Sequence, residues 1–97
     1  MNERITPTKN PQVKLQDLGH ETVCYDPDQK AVHILNPTAR LIWDLCDGEH
    51  TIEEIEVALR LSFEIPSGQD LSQDIKNTLE TFSAKKLIQL EPSKNLK

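Results

Sequence analysis

The sequence predicts an α+β domain of winged-helix-like shape, a three-stranded antiparallel sheet followed by three helices. Three observations carry this. Short apolar runs of strand length occupy the chain before residue 36. After it, apolar residues recur at helical spacing in three longer runs. The breaks between runs are short and rich in Gly, Pro, Asp and Asn. Ninety-seven residues make one domain with one core.

Residues 1–11 carry two prolines and no periodicity, which predicts a flexible or loosely docked arm before a domain over 12–91. Val13-Lys14-Leu15-Gln16 alternates apolar and polar, the pattern of a half-buried strand. Gly19-His20 makes the first turn. In the second strand, Val23 and Tyr25 share one face and Thr22 and Cys24 the other. Asp26-Pro27-Asp28-Gln29 suits a type I turn, with Asp at its first position and Pro at its second. Ala31 to Leu35 is the third strand, apolar on both faces apart from His33. Connections this short make an antiparallel meander.

Asn36 and Pro37 then open a helix. The Asn side chain accepts from free amides of the first turn, and Pro at N1 has no amide to leave unpaired. This helix is expected to reach about Asp47, with Gly48 in a left-handed C′ position. It is apolar on nearly every side, through Ala39, Leu41, Ile42, Trp43, Leu45 and Cys46, so it must be clamped between other elements. Thr51-Ile52-Glu53-Glu54 is a capping box that starts a second helix over 52–64. Pro66-Ser67-Gly68 breaks the chain. A third helix over roughly 70–86 places Leu71, Ile75, Leu79 and Phe82 on one face. Leu87 to Leu90 closes the apolar pattern ahead of a polar tail, 92–97.

Composition excludes several functions. Eleven basic against sixteen acidic side chains leave a formal charge of −5, the wrong sign for neutralising phosphates or docking on an anionic membrane. The predicted third helix sums to zero charge, so the shape does not extend to DNA reading. No apolar run is long enough to span a bilayer, and the first residues lack a signal-peptide core, as expected of a cytoplasmic protein. Cys24 and Cys46 stand outside any CxxC spacing and are expected as reduced core thiols. His20, His33 and His50 have no ligand-spaced partners, no serine sits in a nucleophile elbow, and the three glycines are scattered over turns. No catalytic residue, metal or cofactor is expected.

What remains is geometry. A meander has two edge strands, and an exposed apolar edge invites another strand. If the third helix lies across the sheet near Ala31, Val32, His33, Ile34 and Leu35, a groove forms between them. An extended peptide would add there as a fourth strand. The competing explanation is that this strand is apolar because helices cover both its faces.

The segments "LNPTARLIWDLCDGEHTIEEI" and "DIKNTLETFSAKKLI" resemble the PqqD family, the pyrroloquinoline quinone biosynthesis protein D and the wider precursor-peptide recognition elements. The matching features are Leu35-Asn36 closing a strand, Ala39 with Ile42-Trp43 in the helix, and the Asp47-Gly48 turn. Thr51 with Glu54-Ile55, and Asp74-Ile75, Leu79 and Leu87, complete the pattern over about residues 13–90. Lys85-Lys86 departs from it, since a glycine commonly precedes the final apolar pair. The resemblance implies a non-catalytic protein that binds the leader of a ribosomally made precursor in the cleft between the third strand and the third helix. It also implies delivery to a modifying enzyme, often a radical S-adenosylmethionine protein. A regulator or scaffold of the same shape is the alternative, and a monomer or weak homodimer is expected. Beside the core face of the third helix, Asp74, Thr78, Thr81 and Lys85 follow one another at i, i+4, i+7 and i+11, forming the other wall of such a groove.

Overall fold

The computed structural model describes residues 6–89. In chain order the elements are β1 (Thr8–Lys9), β2 (Lys14–Asp17), β3 (Thr22–Asp26), β4 (Ala31–Leu35), α1 (Pro37–Asp44), α2 (Ile52–Ser62), α3 (Leu71–Ala84) and β5 (Ile88–Gln89). β2, β3 and β4 form the antiparallel meander that the sequence predicts, in that spatial order. β4, the third strand of the meander, is therefore an edge. The register pairs Thr22 with Leu35, Cys24 with His33 and Asp26 with Ala31. Leu15, Cys24 and Leu35 accordingly share the face that packs on the helices.

The core combines that face with the apolar sides of all three helices. Ile42, Trp43, Ile55, Leu59, Leu71, Ile75, Leu79 and Phe82 are buried, joined by Leu87 and Ile88. Cys24 and Cys46 are both fully buried free thiols. Burial pushes the Cys46 thiol up to about 12, and its S–H donates to the Ile42 carbonyl at 3.2 Å. Each helix starts where its cap dictates. The Asn36 side chain accepts from the Ala39 amide at 2.8 Å, with Pro37 behind it. Thr51 and Glu54 form the reciprocal capping box, and Asp70 accepts from the Gln73 amide. Arg40 ties α1 to the sheet: it donates to Asp44 on its own helix, to Asp17 on β2 and to the Thr22 hydroxyl on β3.

Three expectations need correction. Residues 6–11, expected in a flexible or loosely docked arm without a strand, hold one: Thr6 and Pro7 are buried, and β1 pairs antiparallel with β5 in a second, two-stranded sheet. The Lys9 amide donates to the Cys46 carbonyl, and the Asn10 amide to that of Leu87. Two-residue strands carry too little periodicity to be read from sequence. The remainder of the arm (1–5), Leu90 and the tail (92–97) lie outside the described residues.

The second correction follows from the first. α1 stops at Asp44, before Asp47, because the chain beyond it turns to pair with the N-terminal segment. Asp47 bridges Thr8, and the Gly48 amide donates to the Pro7 carbonyl at 2.8 Å. Gly48 has the expected positive φ, +82°, but spends it in this turn, where an added Cβ would also approach the Thr8 hydroxyl at 3.3 Å.

The third concerns the end of α3, which closes at Ala84 with Lys85 as C-cap. The Lys86 amide donates to the Ser83 carbonyl and the Leu87 amide to that of Phe82, while Lys86 sits at φ 62°. This is a Schellman motif with Lys at the left-handed C′ position, where glycine is usual. The departure from the family pattern thus leaves the geometry intact and replaces only the residue that adopts it most easily. Lys86→Gly is expected to stabilise the domain by about 0.5–1 kcal/mol, since the relieved backbone strain exceeds the added entropy of the unfolded chain. A thermal melt reads this directly.

The turn between α1 and α2 holds a titrating pair. The His50 ring contacts the Asp47 carboxylate at 2.9 Å. That hydrogen bond raises the His50 pKa above its ordinary value. Burial alone would raise Asp47, but the bonds from His50 and the Glu49 amide outweigh it and leave its carboxyl below the usual range. A raised histidine stabilises below its unfolded pKa and loses that contribution as pH rises through the folded one. Wild type is therefore expected to melt higher at pH 5.5 than at pH 8 relative to His50→Gln, which keeps a polar side chain but not the titration.

Candidate functional site

β4 presents two different faces. Val32 and Ile34 point away from the helices and are each 58% exposed. They extend an apolar outer face with Val23 and the partly exposed Tyr25 of β3. Helices therefore do not cover both sides of this strand, and that explanation of its composition is set aside. His33 and Leu35 turn inward, toward α1 and α3. Among the described residues no strand pairs with the free edge of β4.

Beside that edge lies an open cleft of ≈ 350 Å³. Val32, His33, Ile34 and Leu35 form one wall, Thr81, Phe82 and Lys85 of the α3 end the other, and Ala39 and Leu87 close it off. Of the strand residues expected at the site, only Ala31 is absent from the lining; it pairs with Asp26 next to the β3–β4 turn. The α3 stripe is split. Thr81 and Lys85 line this cleft, whereas Asp74 and Thr78 line a second one of ≈ 370 Å³. The second cleft lies toward the start of α3, between Thr38 of α1 and the Phe63–Gln69 connection. α3 borders both, with Asp74 and Thr78 on one and Thr81 and Lys85 on the other.

The α3 hydroxyls are already turned inward on their own helix. Thr78 donates to the Asp74 carbonyl at 2.9 Å and Thr81 to that of Asn77 at 3.1 Å, which leaves their oxygens to accept. The Asp74 carboxylate accepts from the Gln69 side chain. His33 is held below its ordinary pKa by burial first and by the nearby Lys85 second, against an opposing pull from Asp26. Asp26 is only 1% exposed, and its carboxylate accepts from the Asp28 amide and the Gln29 side chain. The residues that sequence reasoning missed are Ala39, Phe82 and Leu87. Their apolar patterning carries no sign that one side of each also borders a cleft.

Among the described residues no three His, Cys, Asp or Glu side chains converge as metal ligands, and no helix is long and apolar enough to cross a membrane. The arrangement offers main-chain hydrogen bonds along one edge, apolar walls beside it, and polar groups at intervals.

Residues 21–88 match the sequence signature of the coenzyme PQQ synthesis protein D (PqqD) family. The chain belongs to the PqqD family. Its matched span starts just before β3 and ends in β5, so it takes in β4, α3 and both clefts. Two solved structures share the fold. TbiB1 in complex with the TbiA(beta) leader peptide is 18% identical, with a TM-score of 0.72, over 84% of this chain and 94% of that one. Lasso peptide synthetase B1 complexed with the leader peptide is 18% identical, with a TM-score of 0.73, over 87% of this chain and 98% of that one. No curated protein sequence matches the chain. The fold is thus shared at 18% sequence identity.

Proposed function

We propose that this PqqD-family protein is a non-catalytic carrier. It binds the leader segment of a ribosomally made precursor peptide by strand addition at β4 and presents it to a modifying enzyme of the radical S-adenosylmethionine type. The observation that carries the reading is an edge strand that no other described strand pairs on its outer side, with exposed Val32 and Ile34, set beside an apolar cleft walled by α3. Strand addition satisfies the free backbone groups of β4, and the cleft receives every second side chain of the ligand. The remaining side chains join Val32 and Ile34 on the outer face, where an enzyme reaches them. The two structural relatives, each captured with a leader peptide, support the same use of the fold.

Asp74 tests how far the site extends along α3. Its carboxylate lies in the first turn of the helix, where it also favours the helix dipole. Glu53 occupies the corresponding first turn of α2, away from both clefts, and supplies the matched control. Asp74→Ala is expected to weaken leader affinity roughly fivefold, about 1 kcal/mol for a partly exposed polar contact. Glu53→Ala should leave it unchanged, with both variants melting near wild type. The titration is calorimetric, with a synthetic leader peptide of a ribosomally made precursor as the ligand. Equal affinities for both variants and wild type would confine recognition to β4 and the first cleft.

A further inference from the structure

The cleft beside β4 is apolar along most of its length but not at the end near Lys85. There His33 from the edge strand and Lys85 from the C-cap of α3 line the same space from opposite walls. Among the described residues no carboxylate pairs with Lys85. Asp26, the nearest buried acid, is already occupied by the Asp28 amide and the Gln29 side chain. Two nitrogen donors therefore face an open cleft whose lining, among the described residues, holds no carboxylate.

We propose that this end of the cleft is a subsite for an acidic side chain of the bound peptide, its carboxylate taken between His33 and Lys85. The inference rests on the peptide-binding reading above and adds what that peptide must carry. Charge-assisted hydrogen bonds to a carboxylate are stronger than neutral ones, and two converging donors fix the register of an otherwise degenerate strand. A ligand with an apolar side chain over Leu35 and an acidic one two residues away, over His33, matches the alternation of β4. Lys85 also complements the carbonyl end of α3, a role that does not depend on the charge of a ligand.

Proton linkage gives the subsite a signature. The groups facing His33 are Asp26 and Cys24 from β3 and Lys85 from α3; α1 and the segment before β5 contribute Ala39 and Leu87, which carry no charge. Burial and Lys85 disfavour the charged form of free His33, against an opposing pull from Asp26. A carboxylate beside it reverses that preference, so binding takes up a proton and tightens as pH falls.

The test uses the full chain against an array of end-blocked ten-residue peptides of alternating β-branched and polar residues. One inward position is set in turn to Glu, Gln or Lys, and binding is read at pH 6 and pH 8. Glu is expected to exceed Gln by about five- to tenfold at pH 6, with Lys weakest, and the preference should narrow at pH 8. Lys85→Gln should reduce the preference at both pH values, whereas His33→Gln should remove its pH dependence. Peptides that bind equally well whichever residue they carry would overturn the subsite and leave strand addition standing. Failure of every peptide to bind would overturn both.

Discussion

Trp43→Ala is expected to cost about 3–5 kcal/mol, a large fraction of the total stability of a domain this small. Trp43 is 2% exposed and meets Phe82 edge-to-face, with ring centroids 6.1 Å apart and planes at 81°. It therefore links α1 to α3 through the largest side chain of the core. Truncation leaves a cavity that β4 and α3 cannot both close without moving, so the cleft loses its shape with the fold. Denaturant unfolding measures the loss. A variant that melts like wild type but no longer binds peptide would instead make Trp43 a ligand platform.

Proline in β4 is expected to have the second largest effect. Amides of successive strand residues point to opposite edges, one toward β3 and the next toward the free edge. His33→Pro and Ile34→Pro therefore divide the two ladders between them. One breaks pairing with β3 and lowers the melting temperature; the other leaves the fold standing and removes an amide from the edge. The variant that keeps its fold is expected to lose peptide affinity by at least about tenfold, or ~1.4 kcal/mol. Ile34→Thr, which retains the amide and the β-branch, separates loss of the hydrogen bond from loss of the side chain. Wild-type affinity in the surviving proline variant would remove strand addition from the account.

Much of this fold is legible in the sequence because local signals agree with the tertiary outcome. Asn36-Pro37 and the Thr51–Glu54 box start helices where they say they do, and Leu71, Ile75, Leu79 and Phe82 form the buried face that their spacing specifies. Signals failed where long-range pairing overrode them. Gly48 reads as a helix terminator, yet the contact of Asp47 with Thr8 takes it for a turn, and α1 stops earlier. Lys86 carries no sign of its left-handed backbone, which only the Schellman bonds to Phe82 and Ser83 impose.

The candidate site was legible in outline for a different reason. β4 has more apolar side chains than a strand covered on one face requires, and that excess points to an edge with something to receive. Which residues reach the cleft was harder to read. Ala31 belongs to the same strand but sits at the turn, and Asp74 and Thr78 share the α3 stripe but border the second cleft. Spacing along one helix places residues on a face; it does not say what lies opposite each turn.

The central claim is that β4 is where a peptide adds. Backbone amide shifts, followed while an end-blocked ten-residue peptide of alternating β-branched and polar residues is titrated into the labelled protein, test it most directly. The largest perturbations are expected at residues 32–35 and, across the cleft, at 81–85, with β2 and α2 nearly silent. Perturbations confined to β2 or α2, with β4 unmoved, would contradict it.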